Sequence, residues 1–512
     1  MIEPPSTDTA PASAGARSTL RTRRLGIDTL RECVVYIRSD CHVCRAEGFR
    51  SQARIEVRAD GKRIVATLNV VSSGLIHRDE IGLSEAAWAL LGVQEGTEVR
   101  LAHSLPTESM SHVRAKLYGN RLALDPMQSI VRDIADGRYS ELEIAAFIGA
   151  CAGDRLDLAE TVALTQAMID AGTRIRWSAP QVVDKHCVGG LPGNRTTLIV
   201  VPIVAACGLV MPKTSSRAIT SPSGTADTME TLAPVTLDLS DMRRVVEREG
   251  ACIAWGGALR MSPADDILIG VERALDLDSE GQLIASVLSK KAAAGATDVV
   301  LDIPVGPTAK VRSASAAIAL AERLVAVGRA AHLNVKTLLS DGTQPVGRGI
   351  GPALEARDVL AVLQRAPDAP ADLRERSLRI AAAVLECSSS FPSGSGYARA
   401  ARMLDDGSAW AKFKAICAAQ GGMREPPRAQ YRQDVLAPRD GTIVRYDNRR
   451  LARVAKLAGA PDRPAAGITR NVALGTMVAR GEPLYTVHAE APGELAYALD
   501  YVGASPDIVM VE

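Results

Sequence analysis

Aromatic side chains are scarce: Phe, Trp and Tyr together make up 3% of the 512 residues. An interior with so few rings is filled by Ala, Val, Leu and Ile and packed by helices, not built as an aromatic-rich sandwich. An excess of charge is missing as well. The 60 Lys and Arg against 59 Asp and Glu leave a net charge of +1, which gives no reason to expect a nucleic acid or an acidic membrane as partner. The nine cysteines are scattered without a paired framework, which argues against a disulfide scaffold and suits a reducing cytoplasm. No apolar leader is evident near the start. Residues 1–24 are rich in Pro, Ser, Thr and Ala and read as a disordered tail. The longest apolar run, Leu198 to Met211, is shorter than the roughly 20 residues that span a bilayer, and is expected to be a buried helix.

What is present is ordinary globular material, 47% apolar and 23% charged, on a chain long enough for about three or four domains. The expected class is multidomain α/β. Residues 25–105 read as a β-rich N-terminal domain. RIEVRADGKRIVATLNVV alternates around Asp60-Gly61, a hairpin signal, and the helical pattern from Leu83 ends at Gly92. Cys41 and Cys44 form one C-x-x-C, but zinc needs four ligands and a second pair is missing, so no metal is expected. Residues 113–178 read as a small all-helical domain joined by later helices. There, Ser140 and Glu143 make a capping box, Leu142, Ala146, Phe147 and Ala150 follow at helical spacing, and a second helix from Leu156 stops at Gly172. Residues 179–425 alternate strands and helices, with 296–306 and the segment from His332 as buried strands of an α/β sheet. Residues 433–512 read as a small C-terminal α+β domain. ARGEPLYTV there is like a carrier-domain turn, but no lysine occupies the turn, which excludes a swinging arm.

The chemistry concentrates between Val182 and Leu232. An apolar stretch ends in Asp184-Lys185-His186, a glycine turn runs from Gly189 to Gly193, and Thr196-Thr197 open a long apolar helix. A hydroxyl-rich loop follows with Thr214, Ser215, Ser216, Thr220, Ser221, Ser223 and Thr225. Glycines admit a ligand to the backbone N–H groups, a helix start at Thr197 adds unpaired N–H groups, and Lys185 adds a charge. Either loop alone is equally consistent with an ordinary turn. Together they point to an oxyanion, phosphate above all.

The phrases DKHCVGG, PKTSSRAITSPSGTADTMETL, IASVLSKKAAAGATDVVLDIPVGPTAK and SDGTQPVGRGIGPALEARDVL resemble the thymidine/pyrimidine-nucleoside phosphorylase family. The match is closest to its long branch, which holds AMP phosphorylases and bacterial thymidine phosphorylases. The resemblance runs from about residue 25 to the end. It implies a helical domain and an α/β phosphorylase domain facing across a cleft, phosphorolysis of an N-glycosidic bond, and a homodimer or larger assembly. It implies no metal or organic cofactor, inorganic phosphate being a substrate.

By that resemblance Lys185, Cys187, Thr197, Ser215 and Thr225 fall at phosphate positions. His186, Gly190, Ser216, Arg217, Ala218, Ile219, Thr220, Ser221, Arg273, Ser286, Lys290 and Lys310 fall at nucleoside positions, and Asp278 at that of the proton donor to the leaving base. Taken alone, Asp278 reads equally as a helix N-cap, Ser286 and Lys290 as a solvated helix face, and His186 as a core histidine. The family has serine where this chain has Cys187. Gly270 stands where relatives carry a base-contacting arginine, which leaves Arg273 as the candidate. The expected reaction is thymidine plus phosphate giving thymine and 2-deoxyribose 1-phosphate. The alternative is an AMP phosphorylase giving base and ribose 1,5-bisphosphate, with Arg217 as the cation near the sugar 5′ position. A phosphoribosyltransferase, whose magnesium would need acidic ligands such as Asp265-Asp266, and a non-catalytic assembly protein rank lower.

Overall fold

The computed structural model describes residues 19–512 apart from 219, 220, 260, 276 and 278. Most of the expected tail, Ile219, Thr220 and Asp278 therefore lie outside the described residues. The chain divides into two compact units, residues up to 120 with 132–147, and residues 121–131 with 148–512.

In the first unit, β1 (Thr19–Arg24), β2 (Val34–Arg38), β3 (Arg54–Ala59), β4 (Lys62–Val71), β5 (Glu80–Leu83) and β6 (Glu98–His103) close into a barrel in the order β1-β5-β2-β4-β3-β6. Ile37, Ile55, Val57, Leu68 and Ile81 fill its interior. Closure leaves no free sheet edge, and apolar positions alternate inward on each strand. Residues 19–24, read with the tail from sequence, form β1 because Leu20 and Thr22 point inward, at 1% and 2% exposure. The β3–β4 hairpin turns on Asp60 and Gly61, at φ 47° and 77°, as a two-residue turn with two left-handed positions requires. The short helix α1 (His42–Glu47) starts at Cys41, whose Sγ accepts from the Cys44 N–H at 3.1 Å. The C-x-x-C pattern thus forms a helix cap here, and among the described residues no cluster of three or more His, Cys, Asp or Glu could hold a metal ion. α2 (Glu85–Leu91) stops at the left-handed Gly92, and α3 (Met110–Leu117) follows.

α4 (Leu124–Ala135) and α5 (Glu141–Cys151) follow in the chain. Ser140 and Glu143 cap α5 reciprocally. Leu142 is 82% exposed, against its expected place on the buried face. Ile144, Phe147, Ile148 and Cys151 carry that face, each near-fully buried, at the spacing of one helical side.

In the second unit, α6 (Leu158–Asp170) opens with a complete capping box, Asp157 with Glu160. β7 (Val183–Cys187) leads through the glycine turn to α7 (Thr197–Ala206). Leu198, Ile199, Val200, Val201, Ile203 and Val204 are wholly buried. A helix apolar all round belongs in a core, and each such side chain contributes about 1.5–3 kcal/mol on burial. The apolar run is nevertheless not one helix. It turns at Gly208, φ 88°, and Met211 begins β8 (Met211–Ser215). Next come α8 (Thr225–Glu230), α9 (Leu239–Glu249), β9 (Ala251–Trp255), α10 (Pro263–Leu275), α11 (Glu280–Ala293), β10 (Asp298–Val305), α12 (Ala314–Ala330) and β11 (Asn334–Asp341). β11, β10 and β7 form a parallel sheet in that order, and β8 pairs in parallel with β9. A Val182–Val210 bridge joins the two, so the loops after β7, β8 and β10 leave from the same sheet end, where α/β proteins bind ligands.

β12 (Gly349–Ile350), α13 (Pro352–Leu363), α14 (Ala371–Leu385), α15 (Gly396–Asp405) and α16 (Ser408–Ala419) complete that region. Beyond them lie β13 (Tyr431–Leu436), β14 (Gly441–Tyr446), α17 (Asn448–Leu457), β15 (Gly467–Arg470), β16 (Met477–Val478), β17 (Pro483–Ala489), α18 (Pro492–Gly503) and β18 (Val509–Val511). Their sheets run β12-β15-β17-β13 and β16-β14-β18. No described helix is long and apolar enough to cross a membrane.

Candidate functional site

Successive residues of β7 face opposite sides of the sheet, and this alternation separates two charge clusters. Lys185 is 1% exposed, and its Nζ donates to the Thr196 hydroxyl at 2.6 Å. Burial lowers its pKa to about 8, only partly offset by Cys187 and Asp302. A lysine this enclosed stays charged at neutral pH at a desolvation cost, which an anion beside it would relieve. Cys187 lies half-buried at the strand end, and Asn194 Nδ2 donates to its Sγ at 3.1 Å. Burial and the nearby Asp302 push this thiol up to about 12, so it is a neutral S–H with its sulfur already accepting. Its hydrogen remains available, as a weak donor. Cys187→Ser should therefore leave phosphate-dependent turnover equal or raise it a few-fold; a collapse in a steady-state assay would give the thiol a role of its own.

The other face holds Asp184. Lys213 Nζ lies 2.9 Å from its Oδ1 and Lys291 Nζ 2.8 Å from its Oδ2, all three side chains being buried. Burial alone would raise the carboxyl pKa, but the two ammonium groups hold it below its ordinary value. Lys291 is lowered to about 7, by burial first and by Lys213 in part, against the pull of Asp184. His186, half-buried, is driven well below the usual histidine range by burial and then by Lys291, Lys213, Lys290 and Lys185. It is neutral at pH 7 and presents one donor and one acceptor nitrogen.

The glycine turn is shaped by its neighbours. Gly190 has φ 78°, and a Cβ there would stand 2.3 Å from the Lys310 backbone N. Gly193 has φ 72°, and a Cβ would stand 2.2 Å from the Val346 carbonyl oxygen. Any side chain would push the turn off the sheet end. Gly190 and Lys310, separated in sequence, are thereby brought together. Thr197 is the buried first residue of α7.

Across from that turn, Ser215 ends β8 and Thr225 opens α8. Arg195, on the glycine turn, reaches both halves. Its Nη1 donates to Thr225 Oγ1 at 3.1 Å, its Nη2 to the Ser223 carbonyl at 3.0 Å, and its Nε to Glu355. The hydroxyl loop is pinned from within: Asp227 Oδ2 accepts from the N–H groups of Ala218 at 2.7 Å and Gly224 at 2.8 Å. Ser216 and Ser221 lie on this loop. Arg217 is engaged elsewhere. Its guanidinium makes two contacts to Glu230, at 2.5 and 2.9 Å, and sits 4.8 Å from the Trp255 ring centre.

Ser286 and Lys290 are both half-buried on α11, so this is not the solvated face that the two residues alone suggest. Lys290 Nζ lies 2.7 Å from Oδ2 of Asp265, which is 1% exposed. Arg273 is exposed at the last turn of α10, close enough to Lys456 to help lower that lysine's pKa after burial has done so. Sequence reading passed over Lys213, Lys291, Asn194, Arg195, Asp302 and Glu355. The one available signal was an arginine between a glycine turn and the Thr-Thr of a helix start.

Comparison with known proteins gives the same region a family. A model described as "Glycosyl transferase family, a/b domain" matches residues 179–410, and one described as "Glycosyl transferase family, helical bundle domain" matches residues 111–172. The chain is 63% identical over 496 residues to "Putative thymidine phosphorylase 2" of Acidovorax sp. (strain JS42), covering 97% of each. It is 60% identical over 505 residues to "Putative thymidine phosphorylase" of Polaromonas sp. (strain JS666), covering 99% of each. Among solved structures, anthranilate phosphoribosyltransferase from Thermus thermophilus superposes with a TM-score of 0.50 at 20% identity, over 60% of this chain and 98% of that one. That likeness is one of fold: mixed α/β with a helical bundle. With a glycosyl transferase domain over the β7–β11 sheet and relatives matching end to end, the chain belongs to the thymidine/pyrimidine-nucleoside phosphorylase family and is a pentosyltransferase.

Proposed function

We propose that the protein phosphorolyses the N-glycosidic bond of a nucleoside, with thymidine and phosphate giving thymine and 2-deoxyribose 1-phosphate. The observation that carries this reading is the buried, neutral-pH cation Lys185 on β7, its Nζ bonded to Thr196 at the N-terminus of α7, with the Cys187 S–H two residues on along the same strand face. Donors of this kind, gathered on one side of the reacting carbon, are what an anionic nucleophile requires. A phosphate oxygen attacks C1′, the C1′–N bond breaks, and its electron pair leaves with the base. Lys185, Cys187, Thr197, Ser215 and Thr225 hold the phosphate. Neutral His186, Gly190, Ser216, Ala218, Ser221, Ser286, Lys290 and Lys310 line the nucleoside side. Asp278, at the family's donor position, protonates the departing base. No resident cofactor enters this reading.

The engagement of Arg217 favours a free 5′-hydroxyl over a 5′-phosphate. A guanidinium already bound twice to Glu230 must break those bonds to serve an added anion. AMP phosphorolysis is the second reading, and it needs that exchange. The diphosphate–magnesium reading would draw on Asp265, here spent on Lys290. The four-part layout 25–105, 113–178, 179–425 and 433–512, a homodimeric or larger assembly, and a cytoplasmic setting belong to the same proposal.

The deciding experiment is phosphate-dependent base release from thymidine, uridine, adenosine, AMP, CMP and UMP side by side. Turnover of thymidine above the nucleotides supports the reading; AMP above thymidine replaces it. Asp278→Asn should lower kcat by on the order of 10²–10⁴-fold with the melting temperature unchanged, and near-wild-type kcat would remove Asp278 from the mechanism.

A further inference from the structure

We propose that Arg195 is a positioning residue for the phosphate step, holding Thr225 in place and directing its hydroxyl proton toward the anion without touching the anion itself. This rests on the phosphorylase reading above. All three edges of the Arg195 fork are engaged: Nε with Glu355, Nη1 with Thr225 Oγ1 at 3.1 Å and Nη2 with the Ser223 carbonyl at 3.0 Å. Its side chain is 11% exposed and that of Glu355 is 1% exposed. Glu355 is fixed in turn, accepting from Thr228 Oγ1 at 3.1 Å and from the Gly351 N–H at 3.2 Å. One guanidinium therefore ties together the glycine turn, the start of α8 and the first turn of α13.

The direction of the Thr225 hydrogen bond is what matters chemically. A hydroxyl has one hydrogen and two lone pairs. Guanidinium only donates, so Thr225 Oγ1 must accept from Arg195, and its own hydrogen points away from that nitrogen. Thr225 is half-buried, and its open side is where the hydrogen can go. The Lys185–Thr196 contact follows the same logic, since ammonium also only donates. In both places a cation occupies one lone pair of a threonine hydroxyl and leaves its hydrogen pointing elsewhere. Lysine at position 195 would keep the charge but could not serve three partners in a plane.

The test uses the full-length chain with Arg195→Lys, Thr225→Ala and the double variant, assayed for thymidine phosphorolysis. Arg195→Lys should raise KM for phosphate roughly 10–100-fold, the scale of a misplaced binding group, while KM for thymidine stays within about twofold. The double variant should be no worse than Thr225→Ala alone, since both remove one interaction. The phosphate-induced rise in melting temperature should be present in wild type and clearly smaller in Arg195→Lys at the same phosphate concentration. That thermal readout needs no turnover. A wild type that binds phosphate but cleaves no nucleoside therefore defeats the functional reading, while the melting shift of Arg195→Lys still decides this inference. If Arg195→Lys fails to fold, Glu355→Gln takes its place, with a smaller rise in phosphate KM of about 3–10-fold expected. The inference is overturned by an unchanged phosphate KM, by equal rises in both KM values, by a wild-type melting shift with phosphate in the variant, or by multiplicative losses in the double variant.

Discussion

Lys185→Ala is expected to lower kcat/KM for phosphate by roughly 10²–10³-fold, the ~3–4 kcal/mol lost when one partner of a desolvated charge contact is truncated. KM for thymidine should change far less. The effect is large because water cannot replace the missing ammonium at a site 1% exposed. The pH profile supplies a second check. With a pKa of about 8 in the free protein, Lys185 loses its proton as pH rises through that value, so kcat/KM for phosphate should fall above it, and the fall should be absent from Lys185→Ala. Stability responds in the opposite sense. A lysine whose folded pKa lies below its unfolded 10.5 is less readily charged when folded. Between the two values the unfolded chain binds more protons, and this residue's contribution to stability rises with pH. A phosphate KM unchanged by the substitution would show that the anion binds elsewhere.

Asp184→Asn should be the most destabilising of the changes considered, at about 3–5 kcal/mol. It leaves Lys213 and Lys291 buried with an amide between them in place of a carboxylate. A fall in melting temperature of roughly 5–15 °C is expected, and a wild-type melting curve would refute it. Adding Lys291→Met should recover part of the loss, because it removes one of the two buried amines left without an anionic partner. Acid provides the control. The folded Asp184 carboxyl is held below its ordinary value of 3.8, so its contribution is complete above that value and is lost as pH falls through the lower folded one. Wild type and variant should therefore converge in strong acid.

Signals confined to one turn of chain were readable without the fold. Asp60-Gly61 specified a left-handed two-residue turn, Ser140 with Glu143 a helix start, and Gly92 a helix stop. Residues 296–306 announced β10 because a strand buried on both faces reads as a nearly continuous apolar run, here Val299 to Val305 interrupted by Asp302 alone among charged residues. The candidate site was legible only as two loops of a composition suited to an anion. Its wiring was not. Nothing near Asp184 in sequence says that lysines from β8 and α11 will converge on it, and nothing near Arg217 says that Glu230 will take its charge. Such pairs are set by how strands and helices stack, so they become visible only once chain segments far apart are in place. Leu142 failed for a related reason: helical spacing identifies several faces, and packing selects one.

The C-terminal sheet has a consequence for how this enzyme can be altered. β12 is sewn to β15 through Gly349–Thr469 and Ile350–Ile468, the Ala353 N–H donates to the Pro464 carbonyl at 2.9 Å, and Arg470 clasps the Gly347 carbonyl. Glu355 sits one turn beyond that seam. A gene shortened after residue 430, or a foreign insert between β15 and β17, would take away the strand and the guanidinium that hold β12 and the start of α13, so the last segment of the chain is a buttress for the helix that carries Glu355.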